Sequence, residues 1–195
     1  MNVTSHFKMT LSFKHIGLLV GVASIFVSFL FAGRQQGTYQ ILLLGGLAIA
    51  FVFYLTILFG RDNLKSKLFW SALVVACAVL QWLSEPILVD TSYRYYISRN
   101  QSTLNELNAI LQRKQGEVFM LNDSVTAKSD ILTFEEKEKL KRGRKDLGVY
   151  MISKSDKGIY YGLWGFLDVR LGITHLQTLE HTGDKYRHLT GSWFR

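Results

Sequence analysis

Ile41–Gly60 reads ILLLGGLAIAFVFYLTILFG, and this charge-free stretch decides the architecture. Backbone amides cannot stay unpaired in hydrocarbon, so an apolar run of this length is a helix, and roughly 20 residues is what a spanning helix needs. On its N-terminal side, Ile16–Gly33 (IGLLVGVASIFVSFLFAG) is also without charge. On its C-terminal side, Leu68–Val89 (LFWSALVVACAVLQWLSEPILV) is charge-free as far as Ser84 and then meets Glu85 and Pro86. Three transmembrane helices are therefore expected, over about 16–33, 41–60 and 68–89, in a transmembrane domain 1–90. Lys8 and Lys14 precede the first run like the n-region of a signal peptide. The run lacks a clear A-x-A cleavage site, so a retained helix is the expectation.

Charge divides the chain at the same place. Of the 195 residues, those before Asp90 carry Lys8, Lys14, Arg34, Arg61, Lys65 and Lys67 against Asp62 and Glu85. The remainder of the +8 net charge lies in 90–195, where charged residues are dense and hydrocarbon spans are absent. Such a balance suits anionic partners, phospholipid headgroups and nucleotides among them, although cytoplasmic loops of membrane proteins are basic for topological reasons as well. Counting basic residues near the helix ends, Lys8, Lys14, Arg61, Lys65 and Lys67 oppose Arg34, Arg94 and Arg99. That leans toward an outward C-terminal domain, and adding Arg113 and Lys114 removes the lean. Gly17-x-x-x-Gly21 and Ala72-x-x-x-Ala76 place small residues at helix-contact spacing, for packing within the bundle or between copies.

The segment 91–195 reads as a soluble α+β ligand-binding domain. Thr103-Leu-Asn-Glu106 and Thr133-Phe-Glu-Glu136 both have the spacing of a capping box. The first is followed by an apolar stripe at Leu104, Leu107, Ile110 and Leu111. The second opens a charged helix, acids first and bases later, that stops at Gly148. Strand patterns follow: VYMIS and IYYGLW around a turn at 154–158, then a turn near Leu171-Gly172, then ITHLQTL. A third turn at Thr182-Gly183-Asp184 precedes KYRHLT and the closing SWFR. An antiparallel sheet of about four strands packed on two helices is expected.

No motif names a reaction: H-E-x-x-H, G-x-S-x-G, a P-loop and Cys-x-x-Cys are all missing, and the chain is not expected to be an enzyme. Cys77 is alone, and His175, His181 and His188 lack compact ligand spacing, so neither metal nor cofactor is expected. The C-terminal strands suit binding better, because Arg and Lys neutralise phosphates while aromatic faces stack on bases. The candidate ligand-binding residues are Arg170, His175, Arg187, His188, Tyr161 and Lys185. Strand alternation would set Lys185 and Arg187 on one face, Tyr186 and His188 on the other. Core packing is the competing explanation, favoured for Tyr160 and Trp164.

Three spans followed by the basic, aromatic-rich segment Gly158–Arg195 resemble, in layout, the small membrane effectors of type III CRISPR defence. That resemblance implies a multi-pass protein of the bacterial inner membrane. It would be a homo-oligomer whose soluble domain binds a cyclic oligoadenylate such as cyclic tetra-adenylate, after which its spans perturb the lipid bilayer. It requires a cytosolic domain, against the lean of the flanking charges. The alternative expectation is an inner-membrane immunity or exclusion protein that neutralises a toxin by direct contact, which tolerates an outward domain.

Overall fold

The computed structural model describes residues 12–33, 36–122, 124–127, 132–166, 169–176 and 186–195. It divides into two compact units, Met1–Phe31 with Gly37–Leu88, and Ala32–Gln36 with Val89–Arg195.

The first unit holds α1 (Phe13–Phe29), α2 (Gln36–Leu58) and the greater part of α3 (Leu64–Arg99). Three apolar helices were expected; α2 from Gly37 and α3 are long and apolar enough to cross a membrane, and α1 is a shorter apolar helix. With 17 residues, α1 rises roughly 26 Å, short of the ~30 Å of a hydrocarbon core. The boundaries also differ from the expected ones, and the caps explain why. Asn63 accepts from the Ser66 amide at 2.8 Å and so opens α3 four residues before Leu68. Pro86 sits inside α3 without ending it. Val89, Tyr93, Tyr96 and Ile97 lie beyond it at helical spacing and are all buried, which offsets the backbone bond that proline forfeits.

Within this unit Leu18, Ile57 and Trp70 form the core, and His15 stacks on Trp70 at 4.4 Å. The Gly17/Gly21 pair faces α2: a Cβ on Gly21 would sit 2.5 Å from the Ala50 amide nitrogen, and one on Gly17 would strike the Phe53 ring. The small residues of α1 thus serve helix contact inside the bundle. Ala72 and Ala76 are exposed on α3.

The second unit contains the end of α3, α4 (Gln101–Gln112), α5 (Phe134–Leu147) and a sheet. The strands are β1 (Val118–Leu121), β2 (Ser124–Ala127), β3 (Met151–Ser155), β4 (Gly158–Phe166), β5 (Val169–Leu176), β6 (His188–Thr190) and β7 (Trp193–Phe194). They form one antiparallel sheet of seven strands in the order β2-β1-β3-β4-β5-β7-β6, where about four were expected.

The expected cap of α5 is present. Thr133 Oγ1 accepts from the Glu136 amide at 3.2 Å, Glu136 Oε2 accepts from the Thr133 amide at 2.8 Å, and Gly148 ends the helix at φ 66°. The expected cap of α4 is not. Asn100 is the N-cap, and Thr103 lies inside the helix, because the Leu104 amide already donates to the Asn100 carbonyl at 2.9 Å. The stripe itself is present, with Leu104, Leu107 and Leu111 buried.

The turn expected at Leu171-Gly172 is strand. β5 runs through it, with Gly172 opposite Gly162, and β4 takes up the mismatch with a bulge between Gly162 and Trp164. Gly172 is there for space: a Cβ would lie 2.9 Å from the Tyr160 ring. The Thr182-Gly183-Asp184 turn lies outside the described residues.

Candidate functional site

Strand alternation gives the sheet two different faces. One carries Ile152, Lys154, Ile159, Tyr161, Ile173 and Trp193, all buried. α4 packs here: the Tyr161 hydroxyl donates to Asn108 Oδ1 at 2.8 Å. Lys154 Nζ donates to the Gly116 carbonyl at 2.8 Å, so the buried ammonium is hydrogen-bonded.

The other face carries Ser153 and Ser155 of β3, Tyr160 of β4 and Thr174 of β5, with the registers Ser153–Tyr160–Thr174 and Ser155–Gly158–Leu176 running across it. Here the strands line a groove of about 370 Å³. Lys157, from the two-residue turn between β3 and β4, stands at its rim; Tyr93 of α3, Tyr186 and Arg195 complete the wall. The volume is at the small end of ordinary ligand sites. A second hollow of about 490 Å³, against Arg94, Gln101 and Trp193, has one cation and one aromatic ring in its lining. The sheet groove has two cations and three tyrosines.

Charge at the groove is organised by a buried carboxylate. Asp90, on the Val89–Arg99 part of α3, has a side chain only 9% exposed. Arg195 Nε donates to its Oδ1 at 2.6 Å, and Arg187 Nε meets its Oδ2 at 2.7 Å. The two arginines also exchange backbone hydrogen bonds, Arg187 amide to Arg195 carbonyl at 2.8 Å and the reverse at 2.9 Å, which sends both side chains to the same carboxylate. The Arg195 guanidinium lies 5.8 Å from the centre of the Tyr93 ring. The three side chains sum to a formal charge of +1, and Lys157 adds another.

No protein-family model, curated protein or solved structure matches this chain. Its chemistry rests on the residues themselves.

Of the six residues singled out from the sequence, the four whose side chains are described, Tyr161, His175, Arg187 and His188, are not in the lining of the groove. Tyr161 is fully buried in the helix-covered face, where burial raises its phenol pKa above the usual value, with Tyr96 adding to the effect. Its hydroxyl serves the core. His175 shares that face, with its ring edge-on to Trp193 at 4.9 Å and its Nδ1 buried without a partner among the described residues. Desolvation by burial lowers its pKa. Arg187 is half-exposed and engaged with Asp90. His188 lies on the edge strand β6, its Nε2 3.0 Å from the Gly191 carbonyl and its ring 5.1 Å from Phe194. Arg170 lies on β5 opposite Gly165, but its side chain, like the whole of Lys185, lies outside the described residues.

What the sequence reading passed over is the alternate register. Ser153, Ser155 and Thr174 are small hydroxyl residues without a motif, and Tyr160, favoured there as core, lines the groove. Part of the signal was present in Met-Ile-Ser-Lys-Ser, where Ser153 and Ser155 stand two apart and so share a strand face. Arg195 and Asp90 are 105 residues apart, and no local pattern joins them.

Proposed function

We propose that the protein is a membrane-anchored receptor whose sheet groove binds an anionic nucleotide, with cyclic tetra-adenylate as the ligand to try first. The observation that carries this reading is the groove: tyrosine rings for a base, serine and threonine hydroxyls for a sugar, and Lys157 and Arg195 for a phosphate share one concave surface. The two long apolar helices supply the anchor. Helix α3 is one uninterrupted element from Leu64 to Arg99, and it contributes Tyr93 to the groove and Asp90 to the arginine pair. Ligand capture would therefore act on a helix that is also a span, which is the route by which binding perturbs the membrane.

A groove of about 370 Å³ has room for one nucleotide rather than a ring of four. A cyclic tetra-adenylate would thus engage several copies, one adenylate each, and draw the protein into a homo-oligomer. The test is titration of the full chain in lipid nanodiscs with cyclic tetra-adenylate. Saturable binding at micromolar ligand is expected, and its absence removes this ligand. Sidedness is checked by a C-terminal alkaline phosphatase fusion, which should be inactive for a cytosolic groove. An active fusion would favour the contact-dependent immunity role instead.

A further inference from the structure

Arg195 holds Asp90 by a single nitrogen. Its Nε donates to Oδ1 at 2.6 Å, and the residue lines the groove. A guanidinium presents five N–H donors in a planar fork, and side-on capture through Nε leaves an Nη edge for an oxyanion. Asp90 is almost completely buried on a helix and is engaged on its other oxygen by Arg187, so its own position is fixed from two sides. The Tyr93 ring beside the guanidinium restricts it further.

Resting on the receptor reading, we infer that Arg195 is the phosphate anchor of the groove and that Asp90 is its positioning residue, holding the fork in place without touching the ligand. The carboxylate is matched by two arginines rather than one, so the cluster keeps a net positive charge toward the groove while no buried charge is left unpaired. Arg187 supplies that second charge from outside the groove. Its contribution is to keep Asp90 satisfied, and it makes no contact with the anion. Preorganisation matters because an arginine fixed in advance loses less side-chain entropy when the anion arrives.

The arrangement predicts selectivity for the charge of the ligand, with the base and sugar held separately by the tyrosines and hydroxyls. The probes are adenosine 5′-monophosphate and adenosine, titrated into the full chain in nanodiscs. Wild type should prefer the monophosphate by about tenfold or more, as expected for a charge-assisted contact. Asp90→Asn should erase most of that preference while leaving adenosine affinity unchanged. Equal weakening of both ligands would make Asp90 merely structural, and unchanged or tighter monophosphate binding would overturn its positioning role. Asp90→Asn leaves two arginines without their carboxylate and could fail to fold, so Arg195→Gln is the companion variant. There Asp90 stays paired with Arg187, and the preference should vanish with adenosine binding retained. An Arg195→Gln protein that still prefers the monophosphate removes Arg195 as the anchor. If wild type binds neither compound, the receptor reading fails together with the inference. If it binds both without preference, the inference alone fails.

Discussion

The two faces of the sheet are made by the same strands and hold opposite contents. On the helix-covered face Ile159, Tyr161 and Ile173 are fully sealed, and the hydroxyl of Tyr161 and the ammonium of Lys154 each have a partner inside the protein. One residue along in each strand, Ser153, Tyr160 and Thr174 line an open groove. A period of two thus separates the sealed core from the open groove: neighbouring residues in the chain have opposite surroundings, and a substitution one position away should change which property is lost. The three C-terminal elements Arg187, β7 and Arg195 connect the two, since Trp193 packs against Tyr161 on one side while Arg195 borders the groove on the other.

The largest effect should come from the sealed side. Leu104→Ala removes a side chain with no exposure from α4 and should cost ~2–5 kcal/mol, read as a lower denaturant midpoint in urea unfolding of the detergent-solubilised protein. Ser155→Ala, in the groove, should stay within about 0.5 kcal/mol in the same measurement. If both variants lose comparable stability, the division of the faces is broken.

The adjacent tyrosines sharpen the comparison. Tyr161→Phe leaves Asn108 Oδ1 buried without its donor and should destabilise by ~1–3 kcal/mol, with nucleotide binding unaltered once folded. Tyr160→Leu should do the reverse: stability close to wild type, and a several-fold weaker affinity for adenosine from the loss of a stacking face. Paired unfolding and titration curves for the two variants decide between them.

How much of this was legible beforehand depended on whether the signal was local. The Thr133–Glu136 cap and the Gly148 stop are adjacent chemistry, and the structure has both. The Thr103–Glu106 pattern has the same chemistry but lies within a helix that Asn100 had already opened, because α3 runs on to Arg99 and leaves no room for a later start. β1 and β2 are four residues each, and their alternation becomes visible only once β1 pairs with β3. Gly172 has the composition of a turn and the role of a flat place under an aromatic ring. The two long apolar helices were evident from composition, whereas the passage of α3 beyond Pro86 depends on burial of Tyr93 and Tyr96 by residues far along the chain. In Ile-Tyr-Tyr-Gly nothing local tells which tyrosine faces the core; the register with Met-Ile-Ser-Lys-Ser decides it.

The smallest expected effect is a pH dependence confined to the sealed face. His175 is held below the usual imidazole pKa, chiefly by desolvation, so the folded protein keeps it neutral at a pH where the unfolded chain has already protonated it. The unfolded state then binds more protons, and stability rises with pH across that interval. The contribution of His175 is accordingly complete above the unfolded value of about 6.5 and is lost as pH falls from there through the folded pKa. Because Nδ1 has no partner among the described residues, replacing the ring by phenylalanine removes a titrating group without orphaning a neighbour. His175→Phe should therefore flatten the acid limb of a melting-temperature profile between mildly alkaline and mildly acidic pH. Nucleotide affinity should follow the same curve in both proteins, because the groove lies on the opposite face. A shift in affinity that tracks His175 would mean the faces communicate, and the separation by strand period would then hold for structure but not for function.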